Sequence, residues 1–343
     1  MEENKKYNPL VTVLMPCFNA MPYLPEALDS IINQTYTNLE ILCINDGSTD
    51  ETGDVLERYA KQDKRIRVIH NESNLKLIAT LNKGIELARG EFIARMDADD
   101  ISAINRLEVQ IKYLLQNKDI DLVSCGSYSL NESGVKLGEN LVRNYSTKGT
   151  EFASYIFRPI GHPELMAKTR VLKTNLYALK SYALHTEDYE LWTRLIRKGY
   201  NLANITDLLY YVRINSQSVS RRFTSTQESN FTRCLKIHHE KSFGLNLSNN
   251  VVQIIANRFS APKIKDVKLG IHYLKDIKKD FILENKSNRN EINHIFNTHL
   301  LDINIQLIKK GSTLLKIYAL CLLISNINMF FSLKNLNYLK QKF

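Results

Sequence analysis

Little in this 343-residue chain is of the kind that breaks a fold. Glycine occurs 13 times and proline 7 times, which excludes collagen-like, proline-rich and broadly disordered classes. Cysteine is scarce too. Cys17, Cys43, Cys125, Cys234 and Cys321 lie far apart, with no CxxC pair and no histidine at zinc-ligand spacing. Neither a disulfide framework nor a Cys–His zinc site is expected, and a reduced cytoplasmic compartment fits best. No apolar run reaches the roughly 20 residues of a membrane-spanning helix. Leu314–Phe331 comes nearest, but Lys316, Ser325, Asn326 and Asn328 interrupt it and its unbroken part, Ile317–Ile324, is eight residues long. That stretch reads as a buried or interfacial helix. The opening MEENKKYNPL has a lysine pair but no apolar run before the first strand-like segment, so no secretory signal is expected.

What is present is enough for about two domains and a sizeable core. Apolar residues make up 44% of the chain and charged residues 24%. The net charge of +10 is unevenly placed. Residues 1–224 hold 28 basic and 28 acidic side chains, whereas the last 119 residues hold 18 and 8. Such asymmetry fits contact with an anionic partner, either nucleic acid or a phospholipid surface, and equally fits a solvated Lys/Asn-rich tail.

From Leu10 onward, short apolar runs alternate with amphipathic stretches: LVTVLMP, PYLPEALDSIINQ, LEILCIND, TGDVLERYAKQ, RIRVIHN, NLKLIATLNKGIELARG and EFIARMD. Runs of five to seven residues rich in Val, Ile and Leu, separated by helix-length segments, predict an α/β domain with a parallel sheet. Its ligands are expected at the carboxyl ends of the strands. The polar clusters fall at those ends: Pro16-Cys17-Phe18-Asn19, Asn45-Asp46-Gly47-Ser48-Thr49-Asp50, and Asp97-Ala98-Asp99-Asp100. After about residue 215 the periodicity becomes helical. The expected division is a catalytic domain over residues 1–222 and a basic helical region over 223–343.

Three carboxylates within four residues repel one another unless a cation or a hydrogen-bond network compensates. Oxygen ligands of this kind at Asp97 and Asp99 suit Mg²⁺ or Mn²⁺. Asp100 or Ser102 also fits as the N-cap of a helix carrying Arg106, Leu107 and Ile111. Asp46–Asp50 reads equally as a turn with Ser48 or Thr49 capping the helix that follows. Thr186-Glu187-Asp188 ahead of an apolar run is ordinary helix-start chemistry, or the place of a positioned base. Trp192, the single tryptophan, lies four residues on along the same helix face, and a core anchor is the safer assignment than an acceptor floor.

Taken in order, VTVLMPCFNA, LEILCINDGSTDETGDVLERY, NLKLIATLNKGIELARGEFIARMDADD and LHTEDYELWTRLIRKGY resemble the family 2 glycosyltransferases over about residues 9–222. The resemblance implies a GT-A nucleotide-diphospho-sugar transferase fold, a mostly parallel Rossmann-like sheet, followed here by a C-terminal helical region. It implies that Asp46 holds the base of the nucleotide and that Pro16, Phe18 and Asn19 line that pocket. It implies that Asp97 and Asp99 form the DxD motif, Asp99 as the direct ligand of Mn²⁺ or Mg²⁺ and Asp97 nearer the ribose. Asp188 matches the general base of an inverting transfer, with Glu187 as the fallback.

The chain departs from the common family pattern at three places. Asn45 stands where a second Asp often precedes Asp-Gly-Ser. Lys76 stands where Gly is common, as a diphosphate or base contact or as a plain surface lysine. Asn215, in Tyr211-Val212-Arg213-Ile214-Asn215, replaces a His that serves as a metal or phosphate contact if it has that role elsewhere in the family. Processive relatives carry several membrane spans and a Gln-x-x-Arg-Trp motif, and Leu191 precedes the lone Trp192 here. The expectation is a single-addition enzyme that moves a hexose or N-acetylhexosamine from a UDP-sugar to a lipid-linked, lipopolysaccharide or capsule glycan, in the cytoplasm or peripheral at the inner membrane face. A catalytically inert sugar-nucleotide-binding or scaffolding relative is the alternative. A nucleic-acid partner is not expected, because no aromatic stacking platform accompanies the basic tail. The oligomeric state is not legible.

Overall fold

A computed structural model of the chain describes residues 7–215 and 224–325. They fall into two compact units, Met1–Asn144 with Ile160–Gln227, and Tyr145–Pro159 with Glu228–Phe343. The division expected at residue 222 lies outside the described residues, as do residues 326–331 of the apolar C-terminal stretch.

The first unit is built on strands β1 (Val11–Cys17), β2 (Leu39–Asn45), β3 (Ile66–His70), β4 (Phe92–Arg95), β5 (Ile101–Ser102), β6 (Leu122–Leu130), β7 (Lys136–Asn140), β8 (Met166–Lys168) and β9 (Leu202–Arg213). They form one sheet in the order β3-β2-β1-β4-β8-β6-β9-β5, with β7 paired to β6. The first four run parallel, β1 in register with β2 from Val11↔Leu39 and with β4 from Val11↔Phe92. The sequence-predicted parallel α/β sheet is thus present. Its second half is mixed: β8 is antiparallel to both β4 and β6, whereas β9 is parallel to β6.

Strand periodicity sends alternate side chains into two cores. Val11, Val13, Met15 and Cys17 pack with α1 (Leu24–Ile32), α2 (Thr52–Gln62) and α4 (Arg106–Gln116). Leu14, on the other face, packs with α3 (Leu77–Leu87), α6 (Thr169–Thr174) and α7 (Glu187–Arg197). Trp192 of α7 is fully buried in this second core, so it anchors the fold.

The second unit is helical throughout its described residues. It comprises α5 (Thr147–Ser154), the latter part of α8 (Thr224–Phe243), α9 (Asn249–Ile255), α10 (Ile264–Glu284), α11 (Arg289–Lys310) and α12 (Thr313–Ser325). Helix α5 belongs here although it arises between β7 and β8. Phe152 packs against Phe281 with centroids 5.4 Å apart, Tyr155 stacks on His238 at 4.5 Å, and the Glu291 carboxylate accepts Ser146 N–H at 2.9 Å. On α12, Leu315 and Ala319 are buried while Leu314, Ile317 and Leu320 are exposed. No helix among the described residues is long and apolar enough to cross a membrane.

Candidate active site

Because β1 is flanked by β2 and β4, the loops after those strands meet at one edge of the sheet. The backbone stitches them directly: Asp46 N–H donates to Cys17 O at 2.8 Å, and Met96 N–H to Leu14 O at 3.1 Å. Asn19 adopts φ 46, and its side-chain oxygen accepts Thr49 N–H at 2.8 Å while its own N–H donates to Ser48 Oγ at 3.0 Å. Ser48 and Thr49 therefore bind the neighbouring loop and do not cap α2, whose N-cap is Glu51 without a side-chain bond. Pro16 is half-buried within β1, whereas Phe18 is 48% exposed and free to offer its ring to a ligand.

Asp46 is buried, and its carboxylate is occupied by the loop after β3. Oδ1 accepts Asn71 Nδ2 at 2.7 Å and Leu75 N–H at 2.8 Å, and Oδ2 accepts Lys76 N–H at 3.0 Å. Lys83 Nζ donates to Asn71 Oδ1 at 2.6 Å from behind. Gly47 next to it has φ 68, and a Cβ there would lie 2.8 Å from both Asn74 N and Ser73 C; only glycine lets the two loops approach. Lys76 takes φ 73 and ψ 160 just before α3, a backbone region that glycine occupies almost alone. Glycine would take this backbone without strain. The Lys76 side chain is exposed.

Past β4 the three carboxylates have different partners. Asp97 Oδ1 accepts Arg95 Nη2 at 2.6 Å, and Asp99 Oδ2 accepts Asn215 Nδ2 at 2.9 Å. Asp100 Oδ1 accepts Arg213 N–H at 2.7 Å, while Arg213 Nε donates to Asp99 O at 2.9 Å. Asp100 is thus tied to β9 and does not cap α4, nor does Ser102, which lies in β5; the N-cap of that helix is Asn105. Burial, then the charge of Asp97, raises the Asp99 carboxyl to about 6. Burial also pushes Asp100 well above the usual carboxylate range, and the charges of Asp97 and Asp99 add to it.

The supporting side chains were not singled out from the sequence. Arg213 is buried, with Nη2 2.5 Å from Glu26 Oε2 and its guanidinium 4.6 Å from the Tyr23 ring. The Tyr210 hydroxyl accepts Asp97 N–H at 3.1 Å. Arg106, with no exposed surface, donates to Arg95 O at 2.7 Å and lies 4.7 Å over the Tyr210 ring. Their signal would have been arginine in otherwise apolar strand and helix patterns, since arginine is almost never buried without partners.

Asp188 is 4% exposed at the first turn of α7, with Oδ1 accepting Tyr189 N–H at 2.7 Å. It is no exposed helix-start acid. Nearby, the buried Tyr177 phenol is pushed up chiefly by burial, and it feels the opposing charge of Arg95 and the charges of Glu187, Asp188 and Asp97. The α7 carboxylates and Asp97 therefore share one electrostatic neighbourhood, although Asp188 lies 91 positions after Asp97 in the chain.

Among the described residues no group of three or more His, Cys, Asp or Glu side chains is arranged to hold a metal ion. Asp97 and Asp99 nevertheless fit a divalent cation. They are hard oxygen donors, and a cation would offset both the burial and the Asp97 charge that raise the Asp99 carboxyl. Mg²⁺-type sites characteristically take one or two carboxylates and complete their shell with substrate phosphates and water.

The model of glycosyl transferase family 2 matches residues 12–176. Over 317 residues the chain is 32% identical to an uncharacterized glycosyltransferase of Haemophilus influenzae, covering 88% of this chain and 96% of that relative. Among solved structures it is similar to S. aureus TarS in complex with UDP-GlcNAc, with a TM-score of 0.54 and 17% identity over 86% of this chain and 83% of that one. It is also similar to the mannosyltransferase PcManGT of Pyrobaculum calidifontis in complex with GDP-Man and Mn²⁺, with a TM-score of 0.53 and 18% identity over 97% and 84%. At such identities the structural likeness speaks for the fold, and that fold is the expected GT-A class with a helical C-terminal region. The particular family follows from the sequence matches: the chain belongs to glycosyl transferase family 2, and it is a glycosyltransferase.

Proposed function

We propose that the chain is an inverting transferase that moves one sugar, a hexose or N-acetylhexosamine, from a UDP-sugar to a hydroxyl of a lipid-linked or surface-polysaccharide glycan. The observation that carries this reading is the shared neighbourhood of the buried Asp188 and Asp97, which both act on Tyr177, with Asp97 also acting on Asp99. The UDP-GlcNAc complex of TarS supports the choice of a nucleotide-sugar donor.

In this reading Asp46 and the loop it holds, with Pro16, Phe18, Asn19 and Lys76, form the nucleotide side of the site. Asp188 accepts the acceptor proton on a carboxylate oxygen as that hydroxyl attacks the anomeric carbon. The bond from that carbon to the diphosphate breaks and its electron pair leaves with the diphosphate. Attack opposite the leaving group inverts the anomeric centre, so an α-linked donor gives a β-glycoside. Asp99 and Asp97 hold Mn²⁺ or Mg²⁺, which when bound supplies neutralisation of the leaving diphosphate. The second unit places the enzyme at an anionic membrane surface on the cytoplasmic side. The charge of the last 119 residues and the exposed Leu314, Ile317 and Leu320 support that placement.

Asp188→Asn tests the base. It keeps the size of the side chain but cannot take the proton, so kcat falls by about 100-fold or more with donor binding unchanged. Wild-type turnover in this variant, with loss in Glu187→Gln, transfers the role to Glu187. Asp99→Ala and exhaustive EDTA treatment each abolish transfer if the cation is required; activity that survives EDTA overturns the metal assignment.

A further inference from the structure

One buried histidine beside the α7 carboxylates has no part in the mechanism above. His162 lies in the segment leading into β8 and is 8% exposed. Its Nε2 is 2.8 Å from the Tyr177 hydroxyl, its Nδ1 is 3.9 Å from Glu187 Oε1, and its ring meets Trp192 edge-on at 6.0 Å and 81°. Tyr177 is itself fixed: Asn82 of α3 donates to Tyr177 O at 2.9 Å and accepts Tyr177 N–H at 2.9 Å. The histidine is therefore held against the sheet, the α3 helix and α7 together.

Tyr177 is a buried phenol that keeps its proton, and a phenol in that state can donate to Nε2, 2.8 Å away. A neutral imidazole that accepts at Nε2 bears its hydrogen on Nδ1, and that atom faces Glu187. Glu187 immediately precedes Asp188, and both side chains are buried.

We infer that His162 is a positioning residue for the transfer reaction: the Nδ1 edge of its ring, 3.9 Å from Glu187 Oε1, braces Glu187 and thereby orients Asp188 toward the acceptor hydroxyl. This rests on the reading of Asp188 as the base. The Tyr177 hydroxyl selects the tautomer, Asn82 fixes Tyr177, and the chain of contacts ends at the first residue of α7. The charged groups that act on Tyr177 are Arg95, Glu187, Asp188 and Asp97, and Arg95 in turn feels Asp97, Tyr177, Tyr210 and Glu187.

Two variants separate this role from plain packing, because each keeps one of the two ring contacts. In His162→Asn the amide N–H replaces Nδ1 and still reaches toward Glu187. In His162→Gln the amide replaces Nε2, keeping Tyr177 and losing Glu187. The Gln variant should lose about tenfold in kcat with donor KM unchanged, since small misplacement of a reacting group costs that much or more; the Asn variant should lose about threefold. Glu187→Gln should match His162→Gln, and the double variant should fall no further. Equal losses in the Asn and Gln variants, or wild-type kcat in Gln, overturn the inference. If either histidine variant fails to fold, Tyr177→Phe decides, because it removes only the hydroxyl that sets the tautomer: a several-fold drop in kcat supports the role and an unchanged kcat overturns it. Asp188→Asn, measured alongside, separates the two readings. Retained turnover there removes the base itself, whereas lost turnover with wild-type His162→Gln removes the positioning role alone.

Discussion

Replacing Lys76 by glycine should make this protein more stable while removing an ammonium group from its nucleotide loop. Lys76 sits at φ 73 and ψ 160, held by bonds from its N–H to Asp46 Oδ2 at 3.0 Å and Asn74 Oδ1 at 2.9 Å. A side chain in that region costs about 1–3 kcal/mol. Glycine removes this strain and gives back about 0.5–1 kcal/mol through its looser unfolded chain. The net gain is therefore between about 0 and 2.5 kcal/mol, centred on about 1, or a few degrees in the melting midpoint at about 2–4 °C per kcal/mol. Lys76→Ala is the control, because it deletes the ammonium and keeps the strained backbone. Differential scanning fluorimetry should rank Gly above both Ala and Lys. If the ammonium contacts the donor, KM for the UDP-sugar rises equally in both variants. A melting midpoint for Ala at or above that of Gly refutes the strain argument, and an unchanged KM in both removes Lys76 from the binding set.

Asp46→Asn should destabilise the first unit by about 1–3 kcal/mol and weaken UDP binding, because an amide cannot accept on both sides and its NH2 must face an N–H that the carboxylate now accepts; a urea midpoint equal to wild type rejects this. The second unit should lose stability in mild acid. Burial lowers both His239 and His299 from 6.5 to about 4, against the smaller opposing effect of their bonds to Tyr155 O and Ile255 O. Both are neutral in the fold, so their contribution is complete above pH 6.5 and declines as pH falls toward 4, by about 3 kcal/mol each at the limit. Urea midpoints between pH 7.5 and 5 should fall accordingly, and a flat profile would show that these histidines do not control the unit.

The legible part of the molecule is the part whose signals are local. β1 to β4 are short, mostly apolar runs with helices between them, so each strand end, and each polar cluster on it, is marked by its immediate neighbours. Asp97 and Asp99 stand out by residue type and spacing, and Asp188 by the family resemblance. What surrounds them does not, because the partners are remote: Arg213 reaches Glu26 across 187 positions, and Asn215 reaches Asp99 across 116. The tautomer of His162 depends on Tyr177 and so on Asn82, which is 95 positions before it. Helix α5 is similarly silent. Nothing in Thr147–Ser154 marks it as a companion of helices that begin some 80 residues later, since its apolar side chains would serve either core equally well.

That companionship limits how the two units can be exchanged between proteins. The polypeptide enters the helical unit at Tyr145, leaves it after Pro159 and returns at Glu228. A recombination event with a single junction near residue 222 would carry α5 away from its own core, parting Phe152 from Phe281 and Tyr155 from His238. Neither piece would inherit a complete interior. A hybrid enzyme that borrows only the helical unit must be spliced at three points, which makes the two units a joint inheritance even though each has its own hydrophobic centre.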